Sequence, residues 1–172
     1  PKSNAVFDAL YRELTEKKGF GAKPCLFGRS RGGLWTSSWA ITNPARVAGL
    51  IGIYPVYDFR TYPGLQRAAP AYELTVEQFT ARAAEFNPVD RAGHLARAGV
   101  PAFLLHGDVD TVVPLPANSG AFAITYGEAS AAAAEARVAV AVQAVETAAR
   151  RAKLSKAIQA LRGAGLMWNT VR

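Results

Sequence analysis

An apolar run, Pro24 through Phe27, ends abruptly in Gly28-Arg29-Ser30-Arg31-Gly32-Gly33. Few local patterns restrict a chain as much. A serine with glycine two residues away on each side suits a sharp strand-to-helix turn, where neighbours carrying a Cβ would collide. G-x-S-x-G also arises by chance in about one chain in twenty of this length, so its surroundings have to decide what it means.

Those surroundings alternate between two periods. Ser3 or Asn4 caps a predicted helix whose apolar positions Val6, Phe7, Leu10, Tyr11 and Leu14 recur every 3.6 residues, with Lys17 and Lys18 in its last turn and Gly19 closing it. Pro24 to Phe27 is too short for a helix and predicts a buried strand feeding the Ser30 turn. A helix is expected from Gly32, with Leu34, Trp35, Trp39 and Ile41 as its buried face, stopping before Asn43-Pro44. Residues 48–56 form a second continuous apolar run, the pattern of a parallel strand covered on both faces. Asp58 to Ala71 is rich in turn formers and reads as an excursion from the core; Thr75 then caps a helix to about Phe86, with Glu77 and Gln78 in its first turn. Pro101 to Leu105 predicts a third strand, running into His106-Gly107-Asp108-Val109-Asp110. This order of elements is that of an α/β fold with a doubly wound, mostly parallel sheet. Functional groups gather at the carboxyl ends of such strands, where Ser30 and Asp110 both fall.

The 172 residues suit one domain with a real core, and no stretch approaches the roughly 18 to 20 uncharged apolar residues of a membrane span. The single cysteine, Cys25, precludes an internal disulfide; its place in an apolar run predicts a buried, inert thiol and leaves the compartment undetermined. Because the sequence opens at Pro1 without methionine, any signal segment would lie upstream. Of the net charge of +7, residues 127–172 carry most, with 7 Lys/Arg against 3 Asp/Glu. That region holds 15 alanines in 46 residues and no proline, and Val138, Val142, Val145 and then Leu154, Ile158, Leu161 recur at helical spacing, so a helical tail with a solvated basic face is expected. Its basic residues are not interleaved with stacking aromatics, which argues against nucleic-acid binding. No histidine and carboxylate cluster has ligand spacing and no glycine loop fits a phosphate, so neither a metal nor an organic cofactor is expected.

Two segments converge on a family. Gly28 to Gly33 after one strand, and His106-Gly107-Asp108-Val109-Asp110-Thr111-Val112-Val113-Pro114 after another, resemble the α/β-hydrolase superfamily, in particular its prolyl-oligopeptidase-like and esterase branches. Asn87-Pro88-Val89-Asp90 ahead of Ala98-Gly99-Val100-Pro101 resembles the lead-in to the later strand, and the likeness covers about residues 5–126. It implies a partial α/β-hydrolase domain over 1–126, with 127–172 a helical tail of uncertain origin. It also implies Ser30 as nucleophile, Asp110 as the acid that orients the base, and the Arg31 backbone N–H as one oxyanion donor, acting on an ester or a peptide. Asp108 competes for the acid's role; the resemblance places it at the second aspartate.

The general base is the missing part. The family carries it on a late loop, yet the chain has only His94 and His106. His94 reads as an exposed helix or loop residue and His106 as a structural one beside Asp110. The upstream strands, whose loop supplies the second oxyanion donor, would precede Pro1, and the strand expected after Tyr126 gives way to alanine-rich text. A lost reading frame in a GC-rich gene would write such an ending. The expectation is thus a serine hydrolase, incomplete and weakly active or inactive as it stands. The alternative is a non-catalytic hydrolase-like module whose helical tail mediates protein interaction. Trp35, Trp39, Tyr54 and Tyr57 could line a substrate pocket or belong to the core.

Overall fold

A computed structural model describes residues 2–131 and 138–143. Helix α1 (Lys2–Arg12) passes into a wider turn at Glu13–Lys17, and Gly19 at φ 71 turns the chain toward the sheet. Strand β1 (Cys25–Arg29) leads into α2 (Gly32–Thr42), and β2 (Gly49–Ile53) follows. Five short helices precede the next strand: α3 (Leu65–Ala68), within the expected excursion, then α4 (Val76–Ala81), α5 (Ala83–Phe86), α6 (Pro88–Arg91) and α7 (Gly93–Arg97). Strand β3 (Ala102–Gly107), α8 (Ala121–Ala131) and β4 (Val138–Gln143) complete the order. The expected boundary between residues 126 and 127 falls inside α8.

The strands lie side by side as β1-β2-β3-β4, all parallel. Right-handed crossovers between strands added in one direction put every connecting helix on the same face. Burial follows that rule. Leu50, Ala102 and Leu104 share one buried cluster with Trp39 of α2, Leu95 of α7, and Phe122 and Tyr126 of α8. Residues alternating with them, such as Phe27, Ile51 and Phe103, are exposed or half-buried. Coverage on both faces, expected from the apolar run of β2, therefore holds for only one face among the described residues.

The excursion packs against the helices that follow it: Phe59, Tyr72, Phe79 and Phe86 form a small aromatic core, with the Phe59 and Tyr72 rings each 4.7 Å from that of Phe79. The Thr75 cap is a full capping box, its hydroxyl accepting from the Gln78 N–H and the Gln78 amide oxygen accepting from Thr75 N–H. The helix it starts breaks at Arg82 instead of running unbroken to Phe86.

Three further expectations are corrected. Val138 to Gln143 is a strand, not a helix: Val138, Val140 and Val142 alternate with Ala139 and Ala141, and that period-two, β-branched text pairs with the free edge of β3. The remaining tail positions, Val145, Leu154, Ile158 and Leu161, lie outside the described residues. Cys25 is exposed, because β1 is an edge strand among the described residues and Cys25 alternates with the buried set. On α2, Trp39 and Ile41 are buried as expected and Leu34 half so, but Trp35 is 51% exposed beside the excursion.

Candidate active site

The turn between β1 and α2 is held in a conformation that a serine rarely adopts. Ser30 has φ 51, which costs a residue with a Cβ about 1–2 kcal/mol. Three backbone bonds fix it there: Ser30 N–H donates to Ile53 O at 3.1 Å, and Ser30 O accepts from Gly33 N–H and Val56 N–H, both at 2.9 Å. The glycines contribute unequally. A Cβ on Gly28 would run into Thr36 Oγ1 and come within 2.9 Å of the Gly32 carbonyl, so this residue lets α2 lie directly on β1. A Cβ on Gly33 would sit 2.7 Å from Pro55 Cβ, whereas one on Gly32 would meet nothing within 4 Å. Gly33, outside the pentapeptide, is thus the second glycine that packing requires. Arg31 stands at the N-cap of α2, where the first turn leaves backbone N–H groups without partners inside the helix.

Asp110 follows β3, two strands from Ser30 in the same sheet. Its Oδ1 accepts from Val112 N–H at 2.9 Å and Val113 N–H at 2.8 Å, so the carboxylate is oriented by the loop it begins. Asp108 is exposed, whereas Asp110 is half-buried. His106 lies on the buried face of β3 with both ring nitrogens engaged: Nδ1 is 2.7 Å from Ser119 Oγ, and Nε2 is 2.8 Å from Val113 O. Nε2 also lies 3.7 Å from Asp110 Oδ2, but the shorter, well-placed carbonyl takes its proton. His106 is therefore the structural residue expected. His94 is exposed on α7, in the helical layer; partial desolvation and the nearby Arg91 and Arg97 hold its pKa below the usual histidine value.

Between the two loops stands Tyr54, ending β2 at φ 35, its N–H donating to Leu105 O at 2.6 Å. It lines, with Gly107, Val109 and Asp110, an open cavity of about 260 Å³. A second cavity of about 240 Å³ lies beside Arg31, walled by Trp35, Leu34, Phe59, Pro63 and Tyr72. Of the aromatic residues considered for a pocket, Trp35 and Tyr54 line cavities next to these loops. Trp39 donates from Nε1 to Asp8 at 2.9 Å and is buried; Tyr57 stacks on Phe122 at 4.4 Å, and burial pushes its phenol pKa up.

Sequence reasoning missed the groups that tie these loops together. Asn118, fully buried after the Asp110 loop, accepts from Tyr57 N–H and Asp58 N–H at 2.9 Å each; it donates to Pro114 O at 3.0 Å and Thr61 Oγ1 at 3.2 Å. Asn87 donates to Asp58 Oδ1 at 2.9 Å and accepts from Phe59 N–H at 3.1 Å, while Arg60 Nε donates to the same carboxylate at 2.8 Å. The readable signal was a short amide in apolar text, as at Asn87-Pro88-Val89. Among the described residues no group of three metal-ligating side chains could hold an ion.

No family model matches the chain and no curated protein matches it. Solved structures do. A puromycin-hydrolysing peptidase of Mycobacterium tuberculosis superposes with a TM-score of 0.60 at 22% identity over 83% of this chain and 21% of that one. Dipeptidyl peptidase 4 of Porphyromonas gingivalis gives 0.68 at 17% over 92% and 22%, and an acylaminoacyl peptidase of Pyrococcus horikoshii 0.63 at 14% over 98% and 28%. At these identities the likeness is one of fold: the chain folds as part of an α/β-hydrolase domain and spans about a fifth to a quarter of the length of these peptidases.

Proposed function

We propose that the chain carries the nucleophile and acid of a serine hydrolase that cleaves an ester or peptide bond through an acyl-Ser30 intermediate. The observation that carries this reading is the conformation of Ser30, at positive φ between a strand end and a helix start, with an oriented Asp110 beyond the neighbouring strand. Backbone strain at such a turn is characteristic of sites where a side chain must be presented. In the proposed chemistry, a base takes the Ser30 proton as Oγ attacks the carbonyl carbon, and the Arg31 N–H stabilises the resulting oxyanion. Asp110 holds the base by Oδ2, since Oδ1 is occupied by the loop N–H groups. The intermediate collapses as the base gives that proton to the departing alcohol or amine and the C–O or C–N bond breaks; water, deprotonated by the same base, then attacks the acyl carbon, and the acid leaves as the proton returns to Ser30 Oγ.

The chain has no histidine after His106, so little or no turnover is expected from it alone, because removing a triad's base leaves only residual catalysis. The test is labelling by a fluorophosphonate probe with and without added imidazole, read by peptide mapping. A phosphonylated Ser30 that disappears in Ser30→Ala supports the proposal. Equal labelling in Ser30→Ala, or no Ser30 adduct even with imidazole, refutes it. The missing histidine favours a second reading, a non-catalytic module whose region 127–172 mediates a protein contact, and that reading gains if no adduct forms.

A further inference from the structure

Two arginines meet at the cavity beside the Ser30 turn. Elsewhere Arg46, Arg60 and Arg82 each lie within 4.0 Å of a carboxylate, and Arg29 stands over the Tyr54 ring at 6.0 Å. Arg31 and Arg67 come instead to the cavity of about 240 Å³, which no carboxylate lines among the described residues. Its other walls are largely apolar, with Leu34, Trp35, Phe59 and Tyr72 among them. The Trp35 indole is 51% exposed, so this wall stands open to whatever enters. Apolar and aromatic walls with a few convergent polar groups are the ordinary form of a small-molecule site. Size narrows the occupant. An apolar cavity of about 150 Å³ holds a benzene ring, so this one takes a ring or branched side chain with a small polar group attached.

We propose that this cavity selects substrates bearing a carboxylate on an apolar or aromatic group next to the scissile ester or peptide bond. The carboxylate oxygens accept from the Arg31 and Arg67 guanidiniums, and the carbon body covers Trp35 and Phe59. A guanidinium is a planar fork of N–H donors whose spacing matches a carboxylate, and it keeps its charge at any working pH. The inference rests on the reading of Ser30 as nucleophile: Arg31 follows Ser30 directly and offers its backbone N–H to the oxyanion, so a group held by its side chain lies beside the reacting carbonyl. The same pair disfavours a cationic side chain, so the preference is one of exclusion as well as attraction. Acidic residues and free carboxyl termini are the substrate groups that carry this charge.

The test compares 3-phenylpropanoate with 3-phenylpropanamide, which match in size and differ in charge, by calorimetric titration of the full chain. The acid should bind about tenfold tighter than the amide. Arg31→Gln and Arg67→Gln should each remove most of that advantage and leave amide binding unchanged. Both side chains are exposed, so thermal unfolding should show the variants folded. In a second arm, the acid should slow fluorophosphonate labelling of Ser30 in the presence of imidazole, and the amide at the same concentration should not. Equal affinity for acid and amide would overturn the proposal, as would acid binding indifferent to both arginines. Bound acid that leaves the labelling rate unchanged would place the anion away from the reacting carbonyl and overturn it too. Absence of any Ser30 adduct would fail the hydrolase reading by itself, and the titration would still decide whether the two arginines recognise a carboxylate.

Discussion

Asn118 is the residue whose removal the structure makes most informative. Its amide oxygen is the partner of two buried backbone N–H groups, Tyr57 and Asp58, in the loop that follows β2. Asn118→Ala leaves both donors without a partner in a site with no exposed surface. A buried donor left unsatisfied costs about 1–3 kcal/mol, so partial relaxation of the pair puts the expected loss at about 3 kcal/mol. With a urea dependence of about 2 kcal/mol/M, the unfolding midpoint followed by circular dichroism should fall by about 1.5 M. Thr61→Val removes only the weaker side of the network, the 3.2 Å contact to Asn118 and the 2.8 Å bond from Thr61 Oγ1 to Asp58 O, and should cost about 1 kcal/mol. Since the two residues share partners, the double variant should cost less than the sum. A loss below about 0.5 kcal/mol in Asn118→Ala would mean that the loop does not depend on the amide, and the account of how the two loops are joined would fail.

The glycines of the Ser30 turn give a second, sharper contrast: Gly28→Ala should lower stability by about 1–3 kcal/mol because its Cβ meets α2, whereas Gly32→Ala, with open space around it, should be neutral or stabilising. Thermal unfolding of both variants decides this, and equal effects would contradict the packing described. His94 supplies a pH prediction. Its folded pKa lies below the unfolded value, so the unfolded chain binds the proton more readily, and the stability His94 contributes is full above the unfolded pKa near 6.5 and is lost as pH falls from there through the folded value. His94→Gln should therefore narrow the stability difference between pH 7.5 and pH 5, by a small amount because the ring is largely exposed; an unchanged or wider difference in denaturant midpoints would contradict it.

How far the sequence could be read follows from how local each determinant is. The Ser30 turn, the Thr75 cap and the three apolar runs were legible because strand, cap and turn are set within a few residues. Val138 to Gln143 was misread because alanine content favours a helix, whereas the pairing edge offered by β3 is a property of the assembled sheet. Cys25 and Trp35 failed for a related reason: an apolar residue is buried only if a layer exists to cover it, and the order of the strands decides where layers are. Asn118 and Asn87 were passed over because the backbone N–H groups that their amide oxygens accept from lie 28 to 61 residues away.

The same geometry decides what kind of base could serve Ser30. The ends of β1 and β3 are two strand spacings apart, about 10 Å, with Tyr54 between them. An imidazole hydrogen-bonded at both nitrogens bridges about 8 Å between oxygens, a length of the same order as that spacing, as the proposed pairing of Ser30 with Asp110 requires. His106 is barred from that place: turning it out would strip partners from Ser119 Oγ and Val113 O, each at a cost of about 1–3 kcal/mol, and would release the Val113 segment whose N–H orients Asp110. Imidazole supplied in solution is therefore the discriminating reagent. If Ser30 and Asp110 share one site, imidazole should accelerate fluorophosphonate labelling of the intact chain, and Asp110→Asn should remove most of that acceleration by removing the carboxylate that stabilises the imidazolium. Asp108→Asn should leave it in place. Acceleration indifferent to Asp110 would mean that the solution base acts on Ser30 directly, and the assignment of Asp110 as its acid partner would be withdrawn.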